Sequence, residues 1–187
     1  MPAHIPGPEA IFEEAIVVPD ILAPGLRVVF CGLNPGLSSA AQALPFASPT
    51  NRFWRVLHLA GFTPSVLGPT KSRNLLHYGI GLTSAVRRPT VASTELTPRE
   101  FVAGADALRH RINASATAHI AFMGKAAYRA ILRHTSVDWG EQDEAFAGAR
   151  AWVLPNTSGL SRFTLDALVA AYKPLRNVAF ANRRRST

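Results

Sequence analysis

The chain has 187 residues, 48% of them apolar, and a net charge of +8 from 20 Lys and Arg against 12 Asp and Glu. This length predicts one domain with a sizeable core, and the single cysteine, Cys31, excludes an intramolecular disulfide, a four-cysteine zinc site and an iron–sulfur cluster. No apolar run is as long as the about 18 residues that a membrane-spanning helix needs. The N-terminal stretch is acidic, whereas a secretory signal begins with positive charge, so we expect a cytoplasmic protein.

Short apolar segments that favour strands alternate with helical patterns along the chain. The first strand, over 26–31, is apolar and rich in β-branched residues, and it ends at the turn-forming cluster 32–36. An ordered loop is expected over 37–50. The helices that follow are predicted over 51–60, about 70–78, 97–113, 125–133 and from Thr164 onward, and the further strands over about 80–84, 118–123 and 152–154.

This alternation indicates an α/β fold, a three-layer sandwich in which helices cover both faces of a mostly parallel sheet of four to five strands. No internal repeat or linker divides the chain, so we predict a single domain over 1–181. Residues 182–187, which include three consecutive arginines, are predicted to be a basic, disordered tail.

Positive charge is concentrated in two segments of the chain. Residues 21–94 hold seven Lys and Arg and no carboxylate, while residues 145–187 hold seven Lys and Arg against Asp166 alone. Of the 20 basic residues 17 are Arg, the side chain best suited to paired hydrogen bonds with phosphate. The distribution therefore predicts a polyanionic partner.

Two polar, turn-rich loops follow predicted strands, one over 32–39 and the other over 155–162. Ligands of open α/β sheets bind beyond the carboxyl ends of strands, so these loops are the candidate site. Each contains one asparagine, Asn34 or Asn156, and an uncharged amide can read the polar edge of a nucleobase. Tight turns alone would also explain this composition. The six histidines show no metal-ligand spacing, and no metal site is predicted.

The motifs in and around these loops resemble the mismatch-specific uracil/thymine-DNA glycosylases, and the resemblance covers about residues 18–180. The matching segments are DILAPGL at 20–26, GLNPGLSS at 32–39, PF at 45–46, NRFW at 51–54, RPT at 88–90 and LPNTSGLSR at 154–162. Members of this family flip a uracil, or another damaged or mispaired base, out of duplex DNA and hydrolyse its bond to deoxyribose. The resemblance implies a uracil-DNA glycosylase-like fold, a monofunctional enzyme and no cofactor.

Within the base pocket, the resemblance implies a role for each matching residue. Asn34 would position the attacking water, and Phe46 would stack on the flipped base. The backbone around Leu33, together with Ser39, would contact the edge of the base, and Asn156 would contact the base and the adjoining sugar-phosphate.

On the DNA side, the resemblance makes Leu160 a wedge that fills the gap left in the duplex, with Arg162 beside it on the opposite strand. The other residues expected to contact DNA are Ser158, Gly159, Ser161, Arg52 and Lys125. The implied partner is double-stranded DNA with G·U or other damaged pairs, bound by a monomer at a bacterial nucleoid. Thr157 stands where the family usually has Pro, so we expect a looser wedge loop, and Ser84 stands where close bacterial relatives carry Lys.

The charge pattern predicts an unusual glycosidase chemistry. Glycosidases normally use two carboxylates, yet neither motif loop has one nearby in the sequence, and we expect an acid-free crevice. The amide of Asn34 can orient water but cannot take up its proton, which favours a dissociative mechanism. Two alternatives stay open. A non-catalytic nucleic-acid-binding module would explain the charge, and a nucleoside or nucleotide hydrolase would explain the asparagine loops.

Overall fold

The computed structural model describes residues 17–181, which contain a five-stranded sheet with the order β2-β1-β3-β5-β4. The strands are β1 (Val28–Gly32), β2 (Ile80–Ser84), β3 (His119–Met123), β4 (Gly140–Glu141) and β5 (Arg150–Leu154). Neighbouring strands are parallel except at the edge, where β4 runs antiparallel to β5. The predicted tail over 182–187 lies outside the described residues.

Helices lie on both faces of the sheet. The α-helices are α1 (Leu37–Gln42), α2 (Phe53–Leu59), α3 (Pro98–Ser115), α4 (Lys125–Leu132) and α5 (Leu165–Ala179), and the 3-10 helices span Pro69–Tyr78 and Ser93–Glu95. Glu100 stabilises the start of α3 by accepting the backbone N–H of Thr97 at 2.8 Å, as the capping pattern predicts. None of the helices over 17–181 is long and apolar enough to cross a membrane.

Side chains of β1 alternate between two cores, as expected for a strand buried on both faces. Val28 and Phe30 belong to a core with residues of α2 and α5, while Val29 and Cys31 belong to a core with residues of α3 and α4. The predicted three-layer α/β architecture is therefore confirmed. Burial raises the pKa of the Cys31 thiol to about 12, which makes it a core group without nucleophilic character.

Three local details differ from the sequence predictions or were missed by them. The expected loop over 37–50 contains α1, which was missed because it buries only Ser39 and Ala40 and so shows no stripe of large apolar side chains. The segment Pro69–Tyr78 is a 3-10 helix, with non-helical backbone angles at Lys71. Strand β4 was not predicted, because its two residues are too few to show the alternating apolar and polar pattern of a strand.

Candidate functional site

A cavity of about 880 Å³ lies beyond the carboxyl ends of β1, β2, β3 and β5. Both motif loops line it, so Asn34 and Asn156 share one cavity, as the sequence predicts. Parallel strands bring their carboxyl ends to one edge of the sheet, which is why loops 120 residues apart can meet there. The lining also includes Ser84 at the end of β2, Thr90 in the segment after β2, and Gly124 directly after β3.

The Asn34 amide has a fixed orientation. Its Nδ2 donates to the backbone carbonyl of Arg88 and to Thr90 Oγ1, both at 2.8 Å. A carbonyl oxygen can only accept, so the nitrogen must face Arg88, and Oδ1 is left as a hydrogen-bond acceptor. Thr90 is itself buried, and its backbone N–H donates to Pro35. The segment around 88–90 therefore aims one acceptor of Asn34 at the cavity.

The Asn156 amide presents the opposite chemistry. Its Oδ1 accepts the backbone N–H of Ser158 at 2.8 Å, a turn formed within the loop itself. This bond uses the acceptor and leaves Nδ2 as the group available to a ligand in the cavity. The two asparagines thus present an acceptor and a donor to the same space.

Phe46 forms an aromatic wall of the cavity. Its ring stacks on the fully buried Phe53 with centroids 3.9 Å apart and planes 20° apart. The residue adopts a φ of +50°, which is uncommon for a non-glycine residue, and its carbonyl accepts the indole N–H of Trp54 at 3.3 Å. The backing by Phe53 holds one face of the ring, and the half-buried Phe46 lines the cavity.

The segment 156–163, which we call the wedge loop, is held from inside by Arg52. The guanidinium donates to the backbone carbonyls of Ser158 at 2.8 Å, Ser161 at 3.1 Å and Phe163. The Arg52 backbone N–H also donates to the carbonyl of Thr157 at 3.0 Å. These bonds use three of the five N–H donors of Arg52, so the guanidinium anchors the wedge loop. Its predicted DNA contact stays a prediction.

Thr157 adds a second attachment for the wedge loop. The residue is fully buried, and its hydroxyl donates to Asn51 Oδ1 at 2.9 Å. The same Asn51 oxygen accepts the Phe53 backbone N–H at 3.0 Å, at the start of α2. Thr157 therefore ties the wedge loop to the segment that leads into α2. The expectation of a looser loop stays a prediction.

The tip of the wedge loop combines exposure with a tight backbone approach. The Leu160 side chain is 78% exposed, which is far outside the range of a core leucine. A Cβ added to the preceding Gly159 would lie 2.5 Å from Thr50 Oγ1 and 2.7 Å from Thr50 Cβ. Gly159 is required there because the wedge loop packs directly against the segment that leads into α2.

One carboxylate, Asp20, lines the cavity, so the expectation of an acid-free crevice is wrong. Backbone hydrogen bonds between Ile21 and Leu82 bring Asp20 beside β2. Its oxygens accept the Thr83 hydroxyl at 2.8 Å and pair with Arg87 and, at 3.3 Å, with Arg111. Burial lowers the pKa of the Arg111 guanidinium, with Asp20 opposing that shift. Two arginines and the Thr83 hydroxyl already bind this carboxylate, so its oxygens are engaged by the protein.

The comparisons with known proteins agree with this geometry. A model of the uracil DNA glycosylase superfamily matches residues 19–178, which is most of the chain. The chain belongs to the uracil DNA glycosylase superfamily. Membership gives it a glycosylase-type role on DNA, with the base–sugar bond as the bond that is hydrolysed.

A solved structure from Methanosarcina acetivorans shares this superfamily fold. It is described as a candidate uracil DNA glycosylase, superimposes with a TM-score of 0.56 and is 21% identical to the chain. The match covers 87% of this chain and 98% of that one. At this identity the likeness concerns the fold, and the roles of side chains must come from the geometry of the cavity itself.

The cavity lining contains most of the site residues that were predicted from the sequence. They are Leu33, Asn34, Ser39, Phe46, Asn156, Ser158, Gly159, Leu160 and Ser161. Ser39 is buried, and its Oγ accepts the Ala47 backbone N–H at 3.0 Å. Leu33 is buried among core residues with its carbonyl bound to the Val86 N–H, so its contribution is to the cavity floor.

Arg162 and Lys125 lie outside the cavity lining. Arg162 is exposed and lies within the wedge loop, two residues after Leu160. Lys125 is the first residue of α4, and its Nζ lies 4.6 Å from the centre of the Trp139 indole ring. Within residues 17–181, no group of three His, Cys, Asp or Glu side chains is placed to hold a metal ion.

Several residues of the site were missed by sequence reasoning. Asn51 and Thr90 hold the two motif loops through hydrogen bonds to Thr157 and Asn34. Both lie inside the motif segments, but their residue types alone do not indicate this role. Trp139 and Phe163 also line the cavity. Nothing in the sequence pairs these two aromatic residues, because they are 24 positions apart in different loops.

Proposed function

We propose that this protein is a monofunctional, mismatch-specific uracil-DNA glycosylase. It extrudes uracil and related damaged or mispaired bases, especially those opposite guanine, and hydrolyses the N-glycosidic bond to leave an abasic site. The observation that carries this proposal is the pair of oppositely oriented amides, Asn34 and Asn156, in one cavity beside the stacked Phe46 ring.

The cavity fits a planar pyrimidine with polar edges. The Phe46 ring, held from behind by Phe53, offers a face on which the extruded base can stack. The free Nδ2 of Asn156 can donate to a carbonyl oxygen of the base, and the Ser39 hydroxyl retains its own proton for donation while its oxygen accepts Ala47 N–H. Uracil presents two such carbonyl oxygens, so a donor-rich edge suits it.

The reaction we propose is dissociative. The bond between C1′ and the base nitrogen breaks, and its electron pair leaves with the base as an anion. A water molecule oriented by Asn34 Oδ1 then bonds through its oxygen to the cationic C1′ and loses a proton to solvent. Because Asp20 is occupied by Arg87 and Arg111, the described cavity offers no free carboxylate to act as a base. The rate must therefore depend on how good the leaving group is.

The absence of a lysine from the described cavity lining supports a monofunctional reaction. A glycosylase that also cleaves the DNA strand needs an amine to attack C1′ and form a Schiff base. Lys125, at the rim, instead lies over the Trp139 ring. Water delivered by Asn34 is then the attacking group, and the product is an intact strand with an abasic site.

The duplex is engaged by the wedge loop and by charge. The exposure of Leu160 and Arg162 supports a role for Leu160 in filling the space left by the extruded nucleotide and for Arg162 in contacting the opposite strand. Extrusion costs a few kcal/mol and least for a weakly paired base, which accounts for a preference for mispairs such as G·U. The net charge of +8 supplies the attraction to phosphate.

The test is excision from labelled duplexes that carry G·U, A·U, G·T or G·hypoxanthine pairs, followed by alkaline cleavage. We expect strand breaks at G·U without added metal, only after alkali, and none with Asn34→Ala. Asn113→Ala, an exposed asparagine on α3, is the matched control and should keep full activity. Equal binding and no excision by either protein would instead identify a binding module, and strong competition by free nucleosides would identify a nucleoside hydrolase.

A further inference from the structure

Large apolar side chains remain exposed at the mouth of the cavity. They are Leu37, Val91, Trp139, Leu160 and Phe163. Clustered exposed apolar groups mark an interaction surface, and Leu160 is accounted for as the wedge. Trp139 and Phe163 stand out because they are aromatic and in mutual contact.

We propose that Trp139 and Phe163 form a second base-binding platform, which stacks an unpaired base of the DNA strand next to the extruded nucleotide. The two rings meet at right angles, with centroids 5.7 Å apart. Trp139 is 43% exposed and Phe163 is 36% exposed. This inference rests on DNA being the substrate, and it adds single-stranded and gapped DNA to the forms that the protein binds.

The platform is held in place by the fold. Phe163 accepts an Arg52 hydrogen bond through its carbonyl and directly precedes Thr164, the residue that caps α5. Trp139 lies between the buried Val137 and strand β4, which pairs with β5. Because both backbones are fixed, stacking a base on these rings orders few additional groups, and the contact loses little conformational entropy.

A cation is already placed at the platform. Lys125 Nζ lies 4.6 Å from the centre of the Trp139 ring. Of the nearby carboxylates, Glu141 pairs with Arg150 and Glu144 pairs with His134, while Asp138 stays exposed beside Trp139. A nucleotide that stacks here can therefore meet an aromatic ring with its base and the Lys125 ammonium with its phosphate, the combination used by proteins that bind single strands.

The position of the platform explains why an unpaired base is the occupant. Both rings line the same cavity as Asn34 and Leu160, so a strand that delivers one nucleotide to the cavity passes over them. In an intact duplex the neighbouring bases are paired and stacked on each other, and they are not free to stack on protein. In a single strand every base has a free face.

Tryptophan fluorescence gives a direct test with the intact protein. Of the three tryptophans, Trp54 and Trp152 are buried and Trp139 is exposed. Titration with an oligothymidylate of about ten nucleotides, which contains no uracil, should quench the exposed part of the emission. An oligomer with the same phosphates but abasic sugars should bind more weakly and without quenching. Equal quenching by both oligomers, or by neither, would overturn the platform.

Variants distinguish base stacking on the platform from general electrostatic attraction to DNA. By fluorescence anisotropy of a labelled oligothymidylate, Trp139→Ala should raise Kd about tenfold, whereas Trp139→Phe should stay within about threefold of the parent. Val66→Ala, which truncates an exposed apolar residue outside the cavity, is the control and should leave Kd unchanged. Circular dichroism confirms that each variant is folded. Unchanged binding by Trp139→Ala contradicts the proposal.

This test is independent of uracil excision, because the oligomers carry no uracil and the measurement is of binding and quenching. If thymidylate quenches the tryptophan fluorescence but the protein excises no uracil, the platform is supported and the proposed function is contradicted. If the protein excises uracil from duplexes but shows no base-dependent quenching, the proposed function is supported and the platform is contradicted. If no oligonucleotide quenches Trp139, the aromatic pair contacts something other than a base and the proposal fails.

Discussion

The first and last motif loops both carry an asparagine, yet the fold uses the two amides in opposite ways. Asn34 is held by another loop, since its nitrogen donates to Arg88 and Thr90. Asn156 is held by its own loop, since its oxygen accepts the Ser158 N–H. The hydrogen bonds on the protein side therefore decide which end of each amide is left for chemistry.

This difference teaches that residue identity alone does not assign a role to a site asparagine. An amide whose nitrogen is bound offers an oxygen, which suits a water molecule, and an amide whose oxygen is bound offers a donor, which suits a base carbonyl. Replacing each asparagine by aspartate tests the distinction, because the substitution keeps the shape and changes only the nitrogen.

The largest effect is expected for Asn34→Asp. An oxygen in place of Nδ2 would face the Arg88 carbonyl at 2.8 Å, and two acceptors repel each other. We expect single-turnover excision at G·U to fall about a thousandfold. Part of the rate should return as the pH is lowered, because a protonated carboxyl can again donate to Arg88. Asn113→Asp is the control, and a variant that keeps the parental rate at neutral pH would show that Arg88 does not orient the amide.

A smaller loss is expected for Asn156→Asp. The retained oxygen can still accept the Ser158 N–H, so the melting temperature should stay within about 2 °C of the parent. The donor to the base is lost and an anion replaces it, so excision should fall about a hundredfold. Single-turnover kinetics and calorimetry measure the two quantities. A large drop in melting temperature would mean that the turn, rather than the donor, depends on this residue.

Arg52→Lys should weaken the attachment of the wedge loop more than the chemistry. An ammonium cannot reproduce a planar fork that binds three backbone carbonyls, so we expect the free energy of unfolding to fall by about 2 to 3 kcal/mol. Excision from duplexes should fall about tenfold. Urea denaturation reports the first effect, and Arg55→Lys, on the exposed face of α2, is the matched control. A phosphate contact would instead show as a change in the salt dependence of binding with no loss of stability.

The smallest effect is expected for Thr157→Val, which removes one hydroxyl and keeps the shape. The bond to Asn51 is lost, and stability should fall by about 1 kcal/mol. Thr117→Val, which removes another buried hydroxyl far from the cavity, should cost a similar amount and leave excision unchanged. Excision by Thr157→Val should fall about threefold on duplexes. If both variants have the same activity, the tether does not position the wedge.

Much of the fold could be predicted because its strands are short, continuous apolar runs that end in turn-forming residues. The same rule placed both motif loops at one edge of the sheet, since parallel strands end together. The short helix α1 escaped prediction because its buried residues are Ser39 and Ala40, which form no apolar stripe.

The parts of the site that could not be predicted depend on long-range contacts. Asp20 reaches the cavity through pairing between Ile21 and Leu82, 61 positions apart, and a sequence shows its charge but not its two arginine partners. The resemblance makes Arg52 a DNA contact, and the sequence does not show that its guanidinium binds three backbone carbonyls of the wedge loop. In both cases the residue type was informative and the surroundings decided the role.

The anchoring of the wedge loop by Arg52 and Thr157 has a consequence for association with DNA. Flexible loops that fold onto a target lose chain entropy at the moment of binding, and that loss reduces affinity and slows productive encounters. Here the shape of the intruding tip is already set in the free protein, down to the close packing of Gly159 on Thr50. If this loop enters DNA as we propose, it would probe base pairs with a rigid tip, and discrimination between sound and damaged sites would depend on how readily the DNA deforms.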